Sequence, residues 1–183
     1  MKGKEVHLRP IVSSDLALLN KWKNQEETYQ YLGGGFLPVS VDIQKNWMEE
    51  MMDTTGSSKR FMIETSSHQA VGMAGLYGIN WIHRNCELGI FLGEKEARGK
   101  GMGKDVIDVL ERFALDFCNL RKIKVYVVEE NQPAVRMYEK LGYSTAGKLI
   151  EERYIKGKYC SVLIMEKKLK FFEGGGVKAS TPF

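Results

Sequence analysis

Arg98-Gly99-Lys100-Gly101-Met102-Gly103 lies between a short, mostly apolar run, Cys86-Glu87-Leu88-Gly89-Ile90-Phe91-Leu92, and a segment in which Val106, Val109, Leu110, Phe113 and Phe117 recur at helical spacing. The order predicts strand, glycine loop, amphipathic helix. A helix N-terminus carries unpartnered N–H groups and a partial positive charge, and glycines let the backbone close on a phosphate. Arg98, Lys100 and Lys104 add cations to it. The loop therefore reads as a cradle for a diphosphate. The dinucleotide fingerprint fails, because GxGxxG would need glycine where Val106 or Lys104 stands; the P-loop fails at Arg98 and at Asp105. The plainer alternative is a tight strand-to-helix turn with no ligand.

Outward from this loop, Lys122 to Val128 is rich in Val and Ile and predicts a strand. Pro133 then suits the first turn of a helix that ends at Leu141-Gly142-Tyr143, a left-handed cap followed by a strand, and Tyr159 to Met165 supplies the last one. Upstream, Val6 and Leu8 alternate with His7 and Arg9 in an opening strand, and Ser13, Ser14 and Asp15 offer caps for a helix through Leu16, Leu19 and Trp22. Gly33-Gly34-Gly35 reads as a flexible loop, either a connector or a lid. Ser40 caps a helix carrying Ile43, Trp47 and Met51, and Arg60–Thr65 with Ala70–Ile79 forms a hairpin. Residues 1–172 are read as one mixed domain, and 173–183, which lack periodicity, as a disordered tail.

Composition excludes several classes. A chain of 183 residues, 43% hydrophobic and 27% charged, is neither disordered nor fibrous. No run approaches the roughly 18 apolar residues of a membrane span, and Met1-Lys2-Gly3-Lys4-Glu5 opens no secretory signal, so a cytoplasmic protein without a membrane partner is expected. Cys86, Cys118 and Cys160 are odd in number and widely spaced, which speaks against a disulfide framework or a zinc knuckle, and no metal is expected. A net charge of +4 is too mild to call for nucleic acid but suits a polyanionic small ligand.

Some thirty residues after the loop, Asn131, Ala134, Tyr138, Gly142 and Tyr143 fall in an NxxAxxxYxxxGY pattern inside a helix that follows a strand. Together with Arg98-x-x-Gly101-x-Gly103, this resembles the paired signature of the GNAT superfamily of acetyl-CoA-dependent N-acetyltransferases. The resemblance implies an α/β (α+β) GNAT-like fold: a mixed, mostly antiparallel central sheet with a splayed parallel strand pair and flanking helices. It implies acetyl-CoA as cosubstrate, its pyrophosphate on Arg98, Gly99, Lys100, Gly101, Met102, Gly103 and Lys104. Its acyl-pantetheine arm would meet the backbone of Phe91, Leu92 and Gly93, where a bulge at Gly89 or Gly93 would free N–H groups to polarise the thioester. Asn131 would face the ligand while capping its helix. A homodimer through outer strands is also implied.

Acetyl transfer to an amine poses two proton problems, since an alkylammonium of pKa ~10 must lose a proton and the departing thiolate must be quenched. Tyr138 resembles the family's acid; its alternative is packing on the buried helix face. Glu87, in an otherwise apolar strand, is the candidate base, the alternative being an ion pair with Arg84 or with a neighbouring strand; His83 is a second candidate. With no argued base beside Cys86 or Cys118, direct attack in a ternary complex is expected. The longer resemblance, through Leu8-Arg9-Pro10, Ile79-Asn80-Trp81-Ile82-His83-Arg84 and Gly157-Lys158-Tyr159, is to spermidine and ribosomal-protein alanine N-acetyltransferases, and it leans to the polyamine branch. Glu26, Glu27, Glu49, Glu50, Asp53, Glu151 and Glu152 are the carboxylates available to a polycation. An N-terminal acetyltransferase and a silent acyl-CoA-binding module are the competing readings.

Overall fold

The computed structural model describes residues 1–170; the tail expected at 173–183 lies outside them, as does the end of the expected domain at 172. Seven strands form one sheet in the order β1-β2-β3-β4-β5-β7-β6. They are β1 (Val6–Pro10), β2 (Lys59–Thr65), β3 (Ala70–Asn80), β4 (Asn85–Leu92), β5 (Lys122–Val128), β6 (Ser144–Ile155) and β7 (Lys158–Lys168). Every neighbouring pair is antiparallel except β4 and β5. The helices are α1 (Leu16–Lys23), α2 (Glu26–Tyr29), α3 (Val41–Met52), α4 (Met102–Asp116) and α5 (Gln132–Lys140). None of the described helices is long and apolar enough to cross a membrane.

Alternation along the strands divides most of the apolar residues between two large clusters, with a smaller third at Val128, Cys160 and Val162. Ile63 joins Leu8, Leu76, Leu88 and Ile123 in packing with Val106, Ile107 and Leu110 of α4. Its neighbour Met62 joins Met73 in the other cluster, with Leu19 and Trp22 of α1 and Met48 of α3. Trp22 is wholly buried and lies on Gly93, where an added Cβ would stand 2.3 Å from the indole ring. Gly93 is thus a glycine because the tryptophan occupies the space of its side chain. Two polar anchors tie the N-terminal segment down. Asp105, on the first turn of α4, accepts from the amides of Lys4 (3.0 Å), Glu5 (2.7 Å) and Val6 (3.1 Å). Arg9 donates to both oxygens of Asp15 at 2.7 Å and, through Nε, to Glu64 at 2.6 Å.

Three expectations change. Ile43 and Trp47 of the α3 stripe are exposed, while Gln44 and Met48 are buried; a four-residue stripe fits two adjacent helix faces, and contact with Trp22 selects the one holding Met48. Phe117, expected on the buried face of α4, is 79% exposed just beyond the helix end, and Ala114 takes the last core position. The run Glu26–Tyr29, for which no helix was expected, forms the short α2. Ser40 caps α3 through its Oγ, as expected, accepting from the Ile43 amide at 3.3 Å.

Gly93→Ala forces the indole or the strand to move, so it is expected to lower stability by about 3 kcal/mol, the upper range of core overpacking. A denaturant midpoint unchanged from wild type would remove the Trp22–Gly93 contact from the account.

Candidate active site

The site begins where two strands part. β4 and β5 pair in parallel register only at Asn85–Lys122, Cys86–Ile123 and Glu87–Lys124, although β4 continues to Leu92 and β5 to Val128. On their outer sides both strands stay fully engaged, β4 with β3 from Glu87 to Leu92 and β5 with β7 along all its length. Beyond Glu87 the facing rows of N–H and C=O groups separate into a wedge. Alternation of an antiparallel ladder decides which groups line it. Gly93 donates to the Val71 carbonyl at 2.9 Å, so Phe91 and Gly89, two and four residues back, turn their backbone groups to β3, while Ile90 and Leu92 turn theirs to the wedge.

The structure therefore redistributes the expected contacts of Phe91, Leu92 and Gly93. Leu92 faces the wedge, Gly93 spends its N–H on Val71, Phe91 faces β3, and Ile90 takes the place beside Leu92. The irregularity lies at Gly93, where Gly93 and Glu94 both donate to Val71 (2.9 and 3.2 Å) in the two-to-one pattern of a bulge; Gly89 is in regular register. A second slip occurs between Tyr77 and Asn80.

The glycine loop follows the end of β4. Gly99 and Gly101 adopt φ values of +74° and +81°, which glycine alone enters without strain, and Gly101 is the N-cap of α4. Among the described residues the amides of Gly99, Lys100, Gly101, Met102, Gly103 and Lys104 have no acceptor. This array, with exposed Lys100 and Lys104 beside it, has the donors and charge for a diphosphate. Arg98 behaves differently. Its Nε donates to the Leu92 carbonyl at 3.0 Å and its Nη2 to Thr28 Oγ1 at 2.9 Å, so its guanidinium braces β4 against α2. Gly103 packs toward Met137 of α5, and Asn131 caps α5 through Oδ1 (3.4 Å to the Ala134 amide), leaving its side-chain NH₂ unengaged.

Tyr138 and Glu87 are near enough for the carboxylate charge to act on the phenol. Tyr138 is 5% exposed, with its ring against Tyr143 at 5.2 Å. Burial, and then the negative charge of Glu87, push its phenol well above the ordinary value, so it stays protonated. Glu87 is accessible to solvent, but partial desolvation pushes its carboxyl up, against the pull of Arg153 and Lys124. Arg84 is held by Asn119, and His83 stands exposed on the turn before β4, its amide bonded to Asn80. Burial pushes the Cys86 thiol up to about 12 and the Cys118 thiol upward as well, so neither supplies a thiolate.

Sequence reasoning missed the group of side chains gathered around Phe91 and Glu87. Tyr29 of α2 packs on Phe91 at 5.3 Å and burial raises its phenol to about 12; Lys23 stands over the Tyr29 ring at 4.2 Å and near Trp47 at 5.8 Å, its ammonium pulled down by burial. Tyr77 is Glu87's partner across β3 and β4. Arg153 of β6 donates to the Tyr31 carbonyl at 2.7 Å and so holds the segment that leads into Gly33–Gly35. No spacing in the sequence joins Tyr31 to Arg153; only the topology does.

Residues 5–144 match the family model described as an acetyltransferase (GNAT) domain, and the chain belongs to that family. It is an acetyl-CoA-dependent acetyltransferase with the GNAT fold. Relatives include the spermidine N(1)-acetyltransferase of Vibrio cholerae, 28% identical over 87% of this chain and 91% of that one. That of Escherichia coli K12 is 29% identical over 87% and 84%. A crystal structure of the Vibrio cholerae spermidine N-acetyltransferase in complex with CoA and spermine superposes with a TM-score of 0.84 at 28% identity, covering 90% of this chain and 96% of that one.

Glu87→Gln removes a carboxylate whose pKa is raised, and a base works only when deprotonated. The acid limb of kcat/KM is therefore expected to rise through a pH above the ordinary carboxylate range of ~4.3. In the variant that limb should be lost, leaving the shallower one set by the amine. A variant profile superposable on wild type would show that Glu87 takes no proton.

Proposed function

We propose that this protein transfers the acetyl group of acetyl-CoA to a primary amine of a polyamine such as spermidine, by direct attack in a ternary complex. The observation that carries the chemistry is a buried, protonated Tyr138 within reach of the charge of a partly desolvated Glu87, in a fold whose parted strands lead to an unsatisfied phosphate loop. The polyamine rests on the relatives, two of which are named for spermidine.

Acetyl-CoA supplies a thioester, and the chain supplies its surroundings. The loop amides of Gly99–Lys104 with Lys100 and Lys104 hold the diphosphate, and the wedge-facing backbone of Ile90 and Leu92 pairs with the arm and polarises the carbonyl. Asn131 adds its free NH₂ at the start of α5. Glu87 takes the amine proton, directly or through water. Tyr138 donates a hydrogen bond to the sulfur as it leaves. A phenol is a weaker acid than a thiol of pKa ~8.5. Tyr138 therefore stabilises the growing charge on sulfur without giving up its proton beforehand, and the proton taken from the amine finally neutralises the thiolate.

The carboxylates around the cleft sort into used and unused. Glu26 pairs with Lys156 (2.9 Å), Glu27 with Lys95 (2.8 Å), and Asp53 accepts from Thr55 (2.7 Å). Glu49, Glu50, Glu151 and Glu152 have no ion-pair partner among the described residues, and with Glu87 they are the anions left to meet a polycation. A homodimer in a cytoplasmic setting belongs to the same proposal.

Release of free coenzyme A thiol is expected with spermidine and spermine. Tyr138→Phe should lower kcat about a hundredfold while coenzyme A still raises the melting temperature. Turnover with an alanine-starting peptide alone would move the acceptor to protein N-termini. Full activity in Tyr138→Phe would end the acid assignment, and coenzyme A binding without turnover of any amine would favour the silent module.

A further inference from the structure

At the opposite edge of the sheet, far in register from the wedge, two of the chain's three histidines converge on one carboxylate. His7 and Glu64 are direct cross-strand partners in β1 and β2, and His68 lies in the turn between β2 and β3. His7 Nδ1 is 3.7 Å and His68 Nδ1 3.6 Å from Glu64 Oε2, and one ligand atom from each residue lies within 4.8 Å of the others. These separations are too long for hydrogen bonds. They are close to the ~3.4 Å between donors that share a tetrahedral ion at bond lengths of about 2.1 Å.

We propose that His7, His68 and Glu64 form a binding site for a divalent transition-metal ion of the zinc, cobalt or nickel class. Four features support it. The donor set of two imidazoles and one carboxylate oxygen suits these ions and does not suit magnesium or calcium, which prefer oxygen alone. The carboxylate is oriented from behind: Arg9 Nε holds Glu64 Oε1 at 2.6 Å while the same guanidinium grips Asp15, leaving Oε2 toward the two imidazoles. The local charge is complementary, because Asp15 and Glu64 against Arg9 leave one carboxylate charge uncompensated by the guanidinium. The frame is set by backbone, with His68 at φ +61° in a turn closed by Thr65 and Gln69, so its ring stands beside His7 with centroids 6.4 Å apart. His7 and His68 remain open enough to solvent for an ion and its waters to enter, with side chains 36% and 80% exposed, while Glu64 is nearly covered at 11%. A bound ion would staple the edge strand β1 to the β2–β3 turn, a structural role separate from acetyl transfer.

The test is titration of the full, tag-free chain with Zn²⁺ by calorimetry and with Co²⁺ by visible absorption, alongside thermal unfolding. One ion per chain, a raised melting temperature, and at least tenfold weaker binding in His68→Gly and in His7→Gln are expected. His83→Gln, which touches none of these groups, should bind as wild type does. Glycine suits the left-handed backbone at 68, so that variant tests the ligand and not the turn. Equal affinity in wild type and His68→Gly, or an equal melting shift with Mg²⁺, would overturn the site.

Discussion

The parting of β4 from β5 after Glu87 is the constraint on which the site depends. A parallel pair that closed along its full length would satisfy its own backbone and leave nothing for a ligand to pair with. Opening it costs only the inner row of hydrogen bonds, because β3 and β7 satisfy the outer rows. The glycine loop follows the end of β4, and Arg98 ties that end to α2 through Leu92 and Thr28. The guanidinium thus braces the strand end, while the amides of the loop have no acceptor among the described residues.

Electrostatics then divide the labour between two groups of opposite tendency. Tyr138 and Glu87 are both shifted upward by desolvation, which makes the phenol a durable proton holder and the carboxylate a stronger base than one in water. Each also acts on the other, since the charge of Glu87 contributes to the shift of Tyr138. Lys124, the register partner of Glu87 in β5, and Arg153 of β6 keep Glu87 from rising further.

How much of this was legible follows from the range of each interaction. Strand β5, the cap of α3 and the order of loop and helix are local, and period, capping residues and glycines disclosed them. The Tyr138 motif and the lone acid in an apolar strand drew attention to two groups that the structure finds shifted upward by burial. What stayed hidden depends on partners distant in sequence or on register. Ile90 and Leu92 face the wedge because Gly93 is bonded to Val71, a parity that no spacing reveals. Gly93 looked like a ligand contact, and its reason is Trp22. The face of α3 was ambiguous by one position until Trp22 selected Met48, and Tyr29 and Lys23 could not be placed without knowing that α2 lies over Phe91.

Strand order carries a consequence for how the molecule is made. β7, the last strand in the chain, lies inside the sheet between β5 and β6. Until it emerges from the ribosome, β5 has no partner on its outer side, and Arg153 of β6 has no settled hairpin from which to reach Tyr31. The glycine loop and the helix after it are built from contiguous sequence and are available early, whereas the Arg153–Tyr31 contact spans 122 residues. Non-local closure of this kind is slow relative to helix and hairpin formation. During synthesis the chain therefore passes through a stage in which the glycine loop and its helix are formed while β5 is still unpaired on its outer side and the Tyr31 segment is not yet held.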